Sequence, residues 1–287
     1  MPYSSTLLRQ VDHLIDKLKT YDNEPVNMHM AYRSATLDII MEYLFARCYD
    51  AISARNFRNV TIVSLQEGLK TLFVLKHFPF VFTILNILPD WLVIKLNSSA
   101  QGFVKIIQTC NMHADEVLSN PKEKLHNASH EIVYHHLVTP DPSKRSEMPT
   151  RERLSNEANS LLNAGSDTVG GTCTVGTFYV VNDERILRRL RIELDEARKE
   201  RGMEVQETLG FEVLEKLPYL TAVIKESLRL SHGVVSPLPR VVGPEDSIVG
   251  GYEVPKGVST HSCYLPFIHH FFSPVEHRIN LFNIRTQ

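Results

Sequence analysis

Apolar positions at Leu7, Val11, Leu14, Ile15 and Leu18 recur at spacings of three and four, which aligns them on one face of a helix. Amphipathic helical patterning of this kind runs from Ser5 to Leu118, punctuated at Pro25, Pro79 and Pro89. A short helix is predicted over His126 to Val138, followed by a polar, proline-punctuated loop from Thr139 to Pro149. Next comes a long helical run in which Leu154, Ala158, Leu161, Gly165, Thr168 and Thr172 share one face. Asn182 is expected to cap a charged helix reaching about Arg201, with Asp183 and Glu184 in the first turn, where the helix dipole favours anions. Leu187, Leu190, Leu194 and Ala197 mark its inner face. Another helix starts near Pro218, carries Leu220, Val223, Ile224 and Leu228, and ends around Leu230. Beyond it Ser236-Pro-Leu-Pro-Arg240 reads as extended, because each proline biases its predecessor away from the helical region. Ile248 to Val254 reads as a hairpin turning at Gly250-Gly251, with a second turn at Pro255-Lys256-Gly257. No internal repeat is visible, and the pattern describes a mainly α chain with a small β region near its end.

Within the long run, Ala164-Gly165-Ser166-Asp167-Thr168 sets a glycine, a carboxylate and a hydroxyl in an otherwise apolar stretch. Glycine costs about 1 kcal/mol against alanine inside a helix. Gly170, Gly171 and Gly176 follow closely, so the segment gives up intrinsic stability for close backbone approach. A reactive groove and a tightly crossed helix pair both explain that choice.

Composition narrows the functional classes. Lys and Arg number 31 against 33 Asp and Glu, a formal net charge of -2, so the basic balance of a nucleic-acid-binding protein is missing. The four cysteines, Cys48, Cys110, Cys173 and Cys263, lie far apart with no Cys-x-x-Cys pair, which indicates neither a zinc site nor a disulfide scaffold and fits a reducing compartment. Asn59-Val-Thr, Asn97-Ser-Ser and Asn127-Ala-Ser match the glycosylation pattern without a secretory context to give it meaning. His126 and His130 have a usable metal spacing, but His130-Glu-Ile-Val-Tyr134 carries Tyr where a His-Glu-x-x-His site needs its second ligand. His126, His130, His135 and His136 are therefore read as surface or packing groups, and no metal site is assigned.

Met1 to Gln10 lacks the apolar core of a signal peptide, and no stretch reaches the roughly 20 apolar residues that span a bilayer. The nearest, Leu72 to Leu96, is rich in Phe, Ile and Leu but interrupted by Lys76, His77, Pro79, Asn86, Pro89 and Asp90. It is read as a helical lid buried on the domain, or alternatively as an apolar surface that dips into a membrane interface.

Glu226 and Arg229 stand at i and i+3, close enough to pair on one helix face, and their apolar neighbours imply partial burial. In chain order, Ala-Gly-x-Asp-Thr in a long helix is followed by Leu214-Glu-Lys-Leu-Pro-Tyr-Leu-Thr-Ala-Val-Ile-Lys-Glu226-Ser-Leu-Arg229-Leu. Then come Ser-Pro-Leu-Pro-Arg240 and Gly250-Gly-Tyr-Glu-Val-Pro-Lys-Gly257. This succession closely resembles the haem-thiolate monooxygenases of the cytochrome P450 superfamily, most of all their fungal, microsomal-type members. The resemblance extends from the N-terminal helices to about His270 and is most specific between Leu154 and Gly257.

That resemblance implies an incomplete cytochrome P450 fold over residues 1–270, with 271–287 as an unrelated tail of frameshift, intron or splicing origin. It implies haem as cofactor, with Ala164 and Gly165 lining the oxygen groove, Arg240 reaching a haem propionate, and Asp167 with Thr168 helping to deliver protons to oxygen. Glu226 and Arg229 match the family's Glu-x-x-Arg pair, a structural element beneath the haem. An apolar small molecule, such as a fungal secondary metabolite, is the implied substrate and an NADPH-cytochrome reductase the implied electron donor. The implied location is the cytoplasmic side of the endoplasmic reticulum, or a cytoplasmic or membrane-peripheral one for a chain that begins after the family's anchor.

Several family features have no counterpart in the sequence. The loop that presents the axial cysteine, Phe-x-x-Gly-x-Arg-x-Cys-x-Gly, is not found, and Cys263 in Thr260-His-Ser-Cys-Tyr264 has none of its glycines or its arginine. The arginine that normally completes the Glu-Arg pair is missing, and Glu276-His-Arg278 does not fit its context. The Trp-x-x-x-Arg helix that contacts the other propionate is not seen, and Trp91 belongs to the lid region. The expectation is therefore a chain of monooxygenase ancestry with impaired catalysis, the alternative being a silent fragment or interaction protein.

Overall fold

The structure is a computed structural model describing residues 2–22, 24–66, 78, 80, 84, 87–96, 101–138, 148–204, 207–233, 238–249 and 251–262. The expectations for the 139–147 loop, most of Leu72 to Leu96, Cys263 and the 271–287 tail lie wholly or largely outside them. The chain divides into two compact units, Met1–Phe178 and Tyr179–Gln287.

In the first unit, α1 (Pro2–Lys19) packs on α2 (Met28–Phe45). Asn27 caps α2 by accepting from the Met30 N–H at 3.2 Å, and Ala46 closes it in the left-handed conformation at φ 51°, its N–H on Glu42 O. Residues on every face of α2 are buried, from Met30 and Ala31 through Leu37 and Met41 to Phe45, so it is the central helix of this unit. Its buried Asp38 carboxylate accepts from Ala51 N at 2.8 Å and Ile52 N at 3.0 Å, pinning the chain ahead of a short 3-10 turn, Arg55–Phe57. Then follow α3 (Asp90–Leu96), α4 (Gln101–Ser119), α5 (Pro121–His126) and α6 (Val133–Val138). The single helix expected over His126 to Val138 is thus broken at residues 127–132; His130 in the break and His135 in α6 turn their ring nitrogens onto backbone carbonyls, Glu42 O at 2.9 Å and Leu125 O at 3.0 Å. Those bonds anchor the histidines by packing. Among the described residues no His, Cys, Asp and Glu group is arranged to hold a metal.

In the described part of Leu72 to Leu96, Phe80, Ile87 and Trp91 are 60%, 77% and 65% exposed, while Leu92, Val93 and Ile94 are half-buried. Among the described residues no helix is long and apolar enough to cross a membrane.

The long helix α7 (Arg151–Asn182) is continuous. In the second unit it is followed by α8 (Glu184–Lys199), α9 (Phe211–Leu214) and α10 (Pro218–Ser231). The α8 cap is Asp183, one residue later than predicted, accepting from Arg185 N at 2.9 Å. Pro218 opens α10, and the Glu193 carboxylate of α8 accepts from Tyr219 N and Leu220 N, both at 2.8 Å, so α8 caps α10. Ile186, Tyr219 and Val223 bury together, with Arg189 stacked 4.4 Å from the Tyr219 ring centre.

The predicted hairpin forms as β2 (Ser247–Val249) against β3 (Tyr252–Val254), with Gly251 at φ 87° in its turn. β1 (Leu238–Val241) pairs antiparallel with β4 (Ser259–Ser262), placing Arg240 opposite Thr260.

Candidate functional site

α7 buries a row advancing by fours, Leu154, Ala158, Leu162, Ser166 and Gly170, and its stretch from Gly165 onward lies against α2. A row at i+4 is the ridge that seats a helix in its neighbour's groove. The predicted face followed alternating steps of four and three and splits in two. Leu154 and Ala158 enter the core, Gly165 and Thr172 are half-buried, and Leu161 and Thr168 lie on the exposed side together with Ala164. Ridge packing turns successive contacts around the helix by about 40° per step, which a straight stripe does not follow.

The glycines serve the crossing. A Cβ on Gly165 would sit 3.0 Å from two atoms of Ile40, and one on Gly170 would lie 2.9 Å from Arg33 Cγ and 3.1 Å from Arg33 Cα and N. Along the same seam Thr36 Oγ1 donates to Ser166 O at 2.7 Å, Tyr32 Oη and Thr177 Oγ1 stand 2.8 Å apart, and His29 Nδ1 lies 3.5 Å from Thr174 Oγ1. Ser166 Oγ is buried with no hydrogen-bond partner.

Asp167 and Thr168, adjacent in sequence, point differently. Arg33 Nη2 of α2 stands 2.5 Å from Asp167 Oδ1, with Arg33 2% and Asp167 32% exposed at the side chain. Thr168 instead donates its hydroxyl proton to Ala164 O, one turn back, at 2.8 Å. Burial pulls the Arg33 guanidinium below its ordinary range, and Asp167 pulls it back toward it. Burial, reinforced by Arg33, holds the His29 imidazole below its usual value, with Asp167 opposing. Neither Arg33 nor His29 stood out in the sequence. The available signal was a cation at i+4 from a histidine inside a helix otherwise rich in Met, Ala, Ile and Leu.

In the second unit Arg229 grips Glu226 by two bonds, Nε to Oε2 at 2.8 Å and Nη2 to Oε1 at 2.5 Å. Glu226 is 17% and Arg229 43% exposed, so the pair is only partly buried. The Glu226 bond, helped by the nearby Tyr179, raises Arg229 above its ordinary value. Arg240 is exposed on β1.

The residues present fit a haem in part. The open side of α7 is small at Ala164, apolar at Leu161 and hydroxylic at Thr168. Arg240 is a guanidinium of the kind that takes a propionate. No described cysteine supplies an axial thiolate: Cys110 is buried with its thiol pushed up to about 11, and Cys48 and Cys173 are free thiols outside any such loop.

The sequence profile described as Cytochrome P450 matches residues 1–270. Cytochrome P450 monooxygenase hkm5 of Aspergillus hancockii is 29% identical over 262 residues, covering 90% of this chain and 50% of the relative. Cytochrome P450 monooxygenase macH of Penicillium terrestre is 31% identical over 234 residues, covering 82% and 44%, and conidiogenone synthase PchP450 of Penicillium rubens is 33% identical over 215 residues, covering 75% and 41%. The chain therefore spans about half the length of the curated relatives it matches. A crystal structure of a cytochrome P450, CYP102L1, superimposes with a TM-score of 0.67 at 19% identity over 90% of this chain and 52% of that one. The cytochrome P450DA haem domain does so with 0.67 at 16% identity over 93% and 53%. The order of signature segments, the profile match over most of the length and the shared fold lead to one conclusion: this chain belongs to the cytochrome P450 family.

Proposed function

We propose that the open side of α7, Leu161, Ala164, Thr168 and Thr172, is the distal wall of a haem monooxygenase pocket whose substrate is an apolar small molecule. One observation carries this reading: the i+4 ridge and its glycines bind the opposite side of α7 to α2 and leave Ala164 and Thr168 exposed with no core to fill. Haem, when bound, supplies the iron at which oxygen is activated with reductase-supplied electrons. Ala164 and Leu161 give the substrate an apolar contact. Thr168, its own proton on Ala164 O, keeps lone pairs available to order a water and pass a proton onward. Asp167 is the acidic group that supplies the relay, Gly165 keeps the wall thin, Arg240 holds a propionate, and Glu226 with Arg229 is structural.

The names of the fungal relatives, a conidiogenone synthase among them, support a fungal secondary metabolite as substrate class, and an NADPH-cytochrome reductase is the partner that membership of the family implies. The exposed Phe78, Phe80, Ile87 and Trp91 support peripheral contact with the endoplasmic reticulum membrane from its cytoplasmic side. Residues 1–270 form the P450 part and 271–287 a tail unrelated to it.

The loop that would present an axial cysteine is not among these 287 residues, so the reading expects no thiolate ligation of haem by this stretch of chain taken by itself. Reconstituting it with haem and recording the reduced, carbon-monoxide-bound spectrum tests this. The expected spectrum has no thiolate-type band, and such a band would make the chain a competent catalyst. Ala164→Trp, which fills the open side of α7, is expected to abolish whatever haem uptake the unmodified chain shows. Equal uptake by this variant would remove the distal wall from α7. Failure of the unmodified chain to take up haem favours the second reading, a silent fragment, to which the exposed Phe178, Val181, Ile224 and Leu228 lend support.

A further inference from the structure

We propose that the first unit holds a second ligand site: the cavity walled by the end of α2, by α4, by α5 and by residues 127–132 takes a small molecule with a ring-sized apolar body and a carboxylate, the carboxylate bound by Arg47 and Lys124. None of the described residues lining this cavity belongs to α7, so the site is independent of the haem reading.

Hydrogen bonds hold the cavity open. The sequence pattern asks for one helix over His126 to Val138, and the chain instead breaks at 127–132, where two imidazoles fix its course. A carbonyl only accepts, so the His130 Nε2–H donates to Glu42 O at 2.9 Å, and Nδ1 is left to accept from the Ser129 hydroxyl at 3.1 Å. His135 donates from Nε2 to Leu125 O at 3.0 Å and accepts at Nδ1 from Ile132 N at 3.0 Å, tying the two edges of the break together. α2 stops at the same place, with Ala46 turning the chain in the left-handed conformation. The space enclosed is about 310 Å³, at the small end of the range of about 300–1,000 Å³ that small-molecule sites occupy.

The lining divides into an apolar floor and a charged rim. Phe45, Val117 and Ile132 form the floor, with the His113 ring stacked 4.2 Å from Phe45. Burial, reinforced by Arg47 and opposed by Glu116, keeps His113 below its ordinary 6.5, so at neutral pH the floor carries no charge. At the rim both carboxylates are already engaged. Glu116 Oε2 lies 3.0 Å from Arg47 Nη2 and 3.6 Å from His113 Nδ1, and Glu123 accepts from the Asn120 amide. Arg47 is 54% exposed and turns one edge of its guanidinium to Glu116, leaving further N–H groups to donate. Lys124, exposed in the last turn of α5, makes no ion pair among the described residues. An ammonium ligand would have to displace Arg47 from Glu116, whereas a carboxylate meets a partly engaged guanidinium and an unengaged ammonium. Charge complementarity therefore selects an anion, and the floor selects one that carries an apolar ring.

Phenylacetate is the probe, titrated without haem into the full 287-residue chain carrying carbon-13-labelled histidine rings, with the His113 signal assigned through His113→Phe. An aryl group over the floor is expected to move that signal saturably, with a midpoint of about 1 mM or lower. Phenylacetamide, which keeps the shape without the charge, is expected to bind at least about tenfold more weakly. Phenethylamine is expected to bind no better than the amide. Lys124→Gln, at an exposed position, is expected to raise the phenylacetate midpoint about two- to fivefold. Ala128→Trp, which fills the cavity, is expected to abolish the shift, with helix content verified by circular dichroism in both variants. No saturable shift up to about 10 mM phenylacetate overturns the proposal. Equal midpoints for phenylacetate and phenylacetamide, tighter binding of phenethylamine, or a midpoint unchanged in Lys124→Gln overturn it too, even if Ala128→Trp does not fold. A shift that persists in folded Ala128→Trp places the probe elsewhere and has the same effect.

Discussion

Gly170 of α7 lies against Arg33 of α2 so tightly that an added Cβ would meet Arg33 backbone atoms at 3.1 Å. Backbone cannot swing aside as a side-chain tip can, so Gly170→Ala forces the helices apart. The substitution gains about 1 kcal/mol in helix propensity. Overpacking of this kind costs about 1–3 kcal/mol and also loosens the burial of Arg33. Net destabilisation is expected in denaturant unfolding. Gly171, next along the chain, has nothing within 4 Å of its would-be Cβ. Gly171→Ala should therefore stabilise by up to about 1 kcal/mol. Equal effects at the two positions would remove the close-approach explanation for Gly170.

Asp38 is expected to be among the most sensitive polar positions. Its carboxylate is fully buried and satisfies the N–H groups of Ala51 and Ile52, themselves fully buried. Burial pushes the carboxyl above its usual range, although both N–H bonds and His13 oppose this. Asp38→Ala strands two donors and leaves a small void, for an expected loss of about 2–5 kcal/mol. Urea unfolding followed by circular dichroism measures it, and a loss below about 1 kcal/mol would mean that water or a shifted loop replaces the carboxylate.

How much of this was legible in the sequence depends on the range of the interaction. The mainly α class, the helix opened by Pro218, the hairpin about Gly250-Gly251 and the Glu226–Arg229 pair all follow from rules acting within a few residues, and all appear. The family followed from the order of such segments. The face of α7 did not, because Leu161 and Leu162 are chemically alike and only the crossing with α2 decides that Leu162 enters the core. The Arg33–Asp167 pair joins residues 134 positions apart in sequence, beyond any periodicity. The expectation of close approach holds at Gly165 and Gly170 and not at Gly171, which has nothing within 4 Å of its would-be Cβ. What approaches Gly165 and Gly170 is Ile40 and Arg33, which local pattern does not name.

In the second unit two glutamates on helices should differ in weight. Glu193 satisfies two otherwise orphaned N–H groups at the start of α10, a role like an N-cap, whose loss costs about 0.5–2 kcal/mol. Glu226 is paired with an arginine that is 43% exposed, and such pairs contribute less than about 1 kcal/mol after solvent screening. Glu193→Ala is expected to lower stability more than Glu226→Gln does when each is followed by helical circular dichroism during thermal unfolding. The reverse order would show that the Glu226–Arg229 pair, and not the interhelical cap, holds this unit.

Stability should fall on mild acidification, through histidines buried in the first unit. His113 is stacked on Phe45 at 4.2 Å and His130 is bonded to Glu42 O. Burial lowers both below the ordinary 6.5, with Arg47 adding to the effect at His113 and Arg9 at His130, while Glu116 opposes it at His113. The folded chain therefore holds fewer protons than the unfolded one just below the ordinary histidine range. Stability then rises with pH across that window: it is fully present above about pH 6.5 and is lost as pH falls through the lowered folded values. The slope is at most about 1.4 kcal/mol per pH unit for each group. Denaturant midpoints are expected to drop between about pH 7.5 and about pH 5.5. His113→Phe, which keeps a ring against Phe45 but cannot titrate, should remove part of that slope. A midpoint that stays level in the unmodified chain, or a slope unchanged by His113→Phe, would show that His113 is charged as readily folded as unfolded and that its stacking on Phe45 carries no proton linkage.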